Sequence, residues 1–94
     1  MKPAIYTDFE EDVDVLENED ITKKIVIYND DVNSFDFVIH CLMKYCKHTM
    51  EQAEQCALFI HSKGRYSVKE GDYDTLKPIK EALTEKGIDA KIEE

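Results

Sequence analysis

The chain changes its hydrophobic period within one short stretch, and that change limits the folds open to it. Residues 23–28, KKIVIY, are β-branched and aromatic and read as a strand. Three polar residues follow, Asn29, Asp30 and Asp31. Beyond them Phe35, Val38, Ile39, Leu42, Tyr45 and Cys46 recur at helical spacing, behind Asn33 or Ser34 as the cap. A strand feeding directly into an amphipathic helix needs further elements to cover the apolar face of each.

The rest of the chain supplies them. Lys47 and His48 break the first helix. Thr49 to Gln52, TMEQ, fits a capping box, in which the two side chains satisfy each other's free backbone donors. The second helix carries Ala53, Cys56, Ala57 and Ile60 on one face, and Gly64 after Lys63 stops it. Residues 65–69, RYSVK, alternate as a short strand, and Glu70, Gly71 and Asp72 make a turn. A third helix is expected from Asp74 or Thr75 through Lys86. It tolerates Pro78 in its first turn, where backbone donors lack helical partners. Its core positions are Leu76, Ile79 and Leu83, and Gly87 ends it. Residues 88–92, IDAKI, alternate as a last strand. The order is β-α-α-β-α-β, with no internal repeat. The expected fold class is α+β: a small domain with a three-stranded, mainly antiparallel sheet and helices on one face.

Charge divides the chain at about residue 22. Residues 1–22 hold eight acids and one lysine, so they carry −7 of the net −9. They read as a disordered acidic extension ahead of a folded core at residues 23–94. The acidic balance argues against a nucleic-acid partner, since phosphate contacts need basic surface. No apolar run approaches the roughly 18 residues of a membrane span, and no signal-peptide pattern is present. A cytoplasmic protein without a membrane partner is expected. Cys41, Cys46 and Cys56 lie on or near apolar helical faces and read as reduced, buried thiols. A zinc site using His48 or His61 with them finds no support in any Cys-x-x-Cys spacing, so no metal or other cofactor is expected.

The polar cluster after the first strand admits two readings. It is either a capped turn or one side of a binding site. Asn29 offers an amide oxygen, and Asp30 and Asp31 offer carboxylates. Ile60 and His61 lie three and four residues after Ala57 and share its helix face, so the His61 imidazole stands at the edge of an apolar surface. If the second helix packs beside the first, Phe35 and Val38 complete that surface. An apolar pocket with such acceptors at its rim suits a primary ammonium attached to a bulky side chain, the first residue of a polypeptide. No activated nucleophile and no phosphate loop is visible, so catalysis is not expected.

The run IVIYNDDVNSFDFVIHCLMKYC, followed by a second helix ending ALFIHSKGR, resembles the Clp protease adaptor family, ClpS. The match rests on Asn29, Asp30, Asp31, Phe37 and Val38, then on Ile60, His61 and Gly64, and is good over residues 23–65. The resemblance implies an adaptor that recognises N-degrons beginning with Leu, Phe, Tyr or Trp. It would hand them to a Clp AAA+ unfoldase by way of that partner's N-terminal domain. It implies that Asn29, Asp31 and His61 hold the substrate α-amino group, with Asp30 serving turn geometry or as a supporting charge. It implies a pocket lined by Ile27, Tyr28, Asn33, Phe35, Val38, Ala57, Ile60 and Ile88. Residues 1–22 would be the extension used in delivery. This chain departs from the family at Phe35 and Ala57, commonly Met, and at Asn33, usually Thr. Lys77 is the candidate for the unfoldase contact. The alternative is a plain interaction module resembling the C-terminal domain of the ribosomal stalk protein, with the Asn-Asp-Asp turn purely structural.

Overall fold

The computed structural model describes residues 22–94. The expected acidic extension, apart from Thr22, lies outside the described residues. Six elements follow in order: β1 (Lys23–Tyr28), α1 (Phe35–Tyr45), α2 (Met50–Lys63), β2 (Arg65–Gly71), α3 (Tyr73–Glu85) and β3 (Ala90–Glu93). The sheet has three strands in the order β2-β1-β3, and both pairings are antiparallel. β1 is the centre, which suits its β-branched run: Ile25, Val26 and Ile27 are all buried.

Register sets the core. Ile25 faces Ile92, and Ile27 faces Ala90 on one side and Tyr66 on the other. Between Ile25 and Val26 the pairing with β2 slips by one residue, a β-bulge that leaves Val68 extra. Val68 is buried with Ile25 and Ile27 against Cys41, Leu42 and Cys46 of α1, Ala53 and Ile60 of α2, and Leu76 and Leu83 of α3. The three helices therefore cover the face that carries Ile25 and Ile27. The opposite face is charged. There Arg65 and Lys91 stand over the Tyr28 ring, 5.5 and 5.1 Å from its centroid, and the phenol donates to Glu93. That hydrogen bond to Glu93 is the main reason the Tyr28 phenol titrates above its ordinary range.

The caps explain the helix ends. Ser34 caps α1 by accepting from Phe37 N at 3.1 Å, settling the choice between Asn33 and Ser34. Thr49 and Gln52 form the full capping box, at 3.1 and 3.0 Å. Several boundaries differ from the sequence expectation. α3 begins at Tyr73 because the Asp72 carboxylate, read as part of a turn, accepts from Thr75 N at 2.8 Å and caps the helix. Pro78 consequently lies in the second turn. Its missing N–H leaves the Asp74 carbonyl without its helical donor, at an exposed position that water can reach. β2 runs on to Gly71, two residues past Lys69, and β3 starts only at Ala90, leaving Ile88 in the loop before it.

His48 bridges elements: Nε2 donates to the Val68 carbonyl at 2.7 Å, tying the α1–α2 loop to the bulge. Cys41 and Cys46 are buried thiols and Cys56 is half-buried; all three are free. Burial pushes the Cys46 thiol up to about 11. Among the described residues no cluster of three or more His, Cys, Asp or Glu side chains is placed to hold a metal ion. No helix among them is long and apolar enough to cross a membrane.

Candidate functional site: an apolar cavity with a polar rim

Two backbone hydrogen bonds build the rim. At the end of β1, Tyr28 N donates to Asp89 O and Asn29 N donates to Gly64 O, each at 2.9 Å. Gly64 is the left-handed C-cap of α2, with φ of 89°, and its own N–H returns to Ile60 O at 2.9 Å. The end of the central strand is thereby fastened to the end of α2. Asn29 comes to lie near His61, 32 positions away in sequence, because the helix stop between them is a backbone acceptor.

The turn after Asn29 is organised by Asp30. Its Oδ1 accepts from Val32 N and Asn33 N, both at 2.9 Å, and Oδ2 accepts from Asn33 Nδ2 at 3.0 Å. These donors hold the Asp30 carboxyl below its ordinary range, the backbone N–H of Asn33 being the largest cause. The Asn33 amide also donates to the Gly87 carbonyl at 2.8 Å. One side chain thus ties the turn to the α3–β3 loop, which carries Ile88.

Asn29, Asp30, Asn33, Phe35, Val38, Ala57, Ile60 and His61 line a cavity of about 330 Å³. A recess of about 20 Å³, walled also by Ile27, Tyr28 and Ile88, adjoins the same residues. Such a recess has room for about one water molecule. Asp31 lines neither; it is exposed and accepts no hydrogen bond among the described residues. Tyr28 reaches only the recess, since its ring is held on the opposite face of the sheet by Arg65, Lys91 and Glu93. Ile27 and Ile88 belong to the deep wall, buried at 1 % and 3 % exposure. In the sequence Gly64 and Gly87 read as helix stops. Their carbonyls, which anchor Asn29 and Asn33, carry no side-chain signal.

The chemistry of the wall is one-sided. Phe35, Val38, Ala57 and Ile60 are apolar. The polar groups are two amides, a carboxylate and an imidazole, and no Ser, Cys, Thr or Lys is present to act as nucleophile. Among the described residues, neither the Asn29 side chain nor the His61 imidazole has a hydrogen bond. Both are exposed, so acceptors stand free at the mouth of an apolar hole.

The fold and this cavity define a small α+β domain with an apolar hole and hydrogen-bond acceptors at its mouth. The family model for the ATP-dependent Clp protease adaptor protein ClpS matches residues 18–91, and the chain belongs to that family. The ClpS adapter protein of Oleidesulfovibrio alaskensis is 36% identical over 58 residues, which are 57% of this chain and 56% of that protein. The adapter of Campylobacter jejuni subsp. jejuni is 44% identical over 41 residues, 44% of this chain and 43% of its own length. The chain thus spans about half the length of the curated relatives it matches. Agrobacterium tumefaciens ClpS2, solved bound to L-phenylalaninamide, superposes with a TM-score of 0.73 at 18% identity, covering 77% of this chain and 94% of that one. At that identity the likeness is one of fold.

Proposed function

We propose that this chain is a non-catalytic adaptor. It binds polypeptides by a bulky first residue, Leu, Phe, Tyr or Trp, and delivers them to a Clp AAA+ unfoldase. The observation that carries the reading is the meeting of apolar walls with free acceptors in one cavity, Asn29 and His61 standing beside Ala57, Ile60, Val38 and Phe35. Family membership supports it. The ligand of the A. tumefaciens relative joins a bulky side chain to an amino group, the two features this cavity suits.

In this reading Asn29 Oδ1 and a neutral His61 nitrogen accept from the ammonium, and Asp31 approaches from outside the wall. Asp30 is engaged by the turn, which takes both backbone donors on Oδ1 and the Asn33 amide on Oδ2, and contributes charge. A peptide α-amino group titrates near pKa 7.7–8.0, so most of it is charged at neutral pH. Taking that charge out of water costs several kcal/mol unless it is fully paired. Burying a Leu or Phe side chain returns about 1.5–3 kcal/mol. The two together fit affinity near micromolar, about −8 kcal/mol, which suits a carrier that must release its cargo. Lys77 lines a separate surface groove with Tyr73, Lys80 and Lys91, so an unfoldase contact there leaves the cavity open.

Titration of fluorescent peptides differing only in the first residue tests the reading. Leu, Phe, Tyr and Trp peptides should bind, Gly and Glu peptides should not, and acetylating the α-amine should abolish binding. His61→Ala should cost at least tenfold with the fold intact by circular dichroism. Equal binding of the acetylated peptide would sink the ammonium site. The stalk-like interaction module has weaker support: it accounts for the hydrogen bonds of Asp30 but gives the cavity no role.

A further inference from the structure

Asn33 lines both the main cavity and the recess behind it, where Ile27, Val38, Ile60 and Ile88 are the apolar wall and Tyr28, Asn29 and Asp30 the other polar residues. The orientation of its amide is fixed. The two groups within reach of Nδ2, the Asp30 carboxylate at 3.0 Å and the Gly87 carbonyl at 2.8 Å, can only accept, so the NH2 must face them. Both amide hydrogens are thereby used. Oδ1 is left over, and it receives no hydrogen bond among the described residues. A carbonyl oxygen of a cavity-lining amide whose NH2 is held by two anchors is a preorganised acceptor.

We infer that Asn33 makes the cavity select tyrosine over phenylalanine at the first position, its Oδ1 accepting the hydrogen bond of the phenol. The inference rests on the adaptor reading, in which Asn29 and His61 are occupied by the ammonium and Asp30 by the turn. Phe35, Val38, Ala57 and Ile60 offer a buried hydroxyl no partner, and the Asp30 carboxylate on the same wall already accepts from Val32 N, Asn33 N and Asn33 Nδ2, so Asn33 Oδ1 is the lining acceptor left without a hydrogen bond. With Asn33 the donor is met by a group already in place, at little cost in ordering. One such hydrogen bond corresponds to roughly two- to tenfold in affinity.

The test uses the full chain and four peptides identical beyond the first residue, which is Tyr, Phe, 4-methylphenylalanine or O-methyltyrosine. Tyrosine should bind two- to tenfold tighter than each of the other three. The methyl compound controls for size and the ether for the donor. In Asn33→Leu, which removes the amide together with its ties to Asp30 and Gly87, the ratio of tyrosine to phenylalanine affinity should fall by that two- to tenfold, whatever the variant does to the affinity of both. If the variant does not fold, the comparison among peptides on the unmodified protein still decides. Amine-dependent binding in which tyrosine is no tighter than phenylalanine or 4-methylphenylalanine overturns the role of Asn33 and leaves the adaptor reading standing. If no peptide binds, or acetylated peptides bind as well, the adaptor reading fails and takes this inference with it.

Discussion

Asp30 accepts hydrogen bonds from Val32 and Asn33, while Asp31, one residue on, accepts none among the described residues. A sequence shows two carboxylates side by side and cannot show which is saturated, because that depends on how the turn folds back. Asp30→Asn should expose the difference. The Asp30 carboxyl is depressed in the native state, so its charge stabilises the fold at pH values above the ordinary carboxyl range, about 3.9, and that contribution fades as pH falls through the native value. The variant should lose about 1 kcal/mol at pH 7, the scale of a charge-assisted bond open to solvent, and close to nothing at pH 2. Urea unfolding at the two pH values measures it, and a gap that persists at pH 2 would rule out the charge as its cause. Ala57 is the second residue whose role is local. It is 2 % exposed on the cavity wall, so Ala57→Met fills space a ligand would use. Overpacking of this kind costs about 1–3 kcal/mol. The loss should fall on Trp and Phe peptides more than on Leu, read from the same peptide titration; an unchanged ranking would remove Ala57 from the binding wall.

The elements differ in how openly their boundaries are written. α2 is legible at both ends, because the capping box and Gly64 are local signals that the structure uses as local devices. α3 and β2 are less so. Asp72 has the look of a turn residue and acts as a helix cap, and the bulge at Val68 lets β2 run on to Gly71. The meeting of Asn29 with His61 lies further out of reach, since it depends on a long-range backbone bond to the helix stop. Gly64 is therefore the element-scale residue of most consequence. A Cβ built there meets nothing within 4 Å, yet φ is +89°. Any cost of substitution is then dihedral rather than steric. Gly64→Ala should destabilise by about 1–2 kcal/mol, the penalty of a left-handed L-residue. Gly64→Asn should cost less, because asparagine tolerates that region. Equal losses in thermal unfolding would point to the carbonyl bond with Asn29 rather than to φ.

At the scale of the whole molecule, the core and the cavity share their helices. Cys46 ends α1, at 1 % exposure, against the same packing that holds Leu42 and Ala53. The cavity takes Phe35 and Val38 from α1 and Ala57, Ile60 and His61 from α2. Exposing Cys46 means separating those two helices, which also dismantles the cavity. Burial raises the Cys46 thiol to about 11, so at pH 8 the folded protein holds very little of the thiolate that reacts with iodoacetamide. Labelling of Cys46 is therefore expected to proceed through opened molecules, with the half-buried Cys56 labelled faster. A ligand that binds only the closed form should slow Cys46 labelling by the factor 1 + [L]/Kd, about a hundredfold at 100 times Kd. A Leu- or Phe-initiated peptide should give that protection and its acetylated form should give none, as followed by mass spectrometry of each cysteine. If peptide at that excess binds yet leaves the labelling of Cys46 unchanged, the core opens without disturbing the cavity, and the two are separate units of stability despite their shared helices.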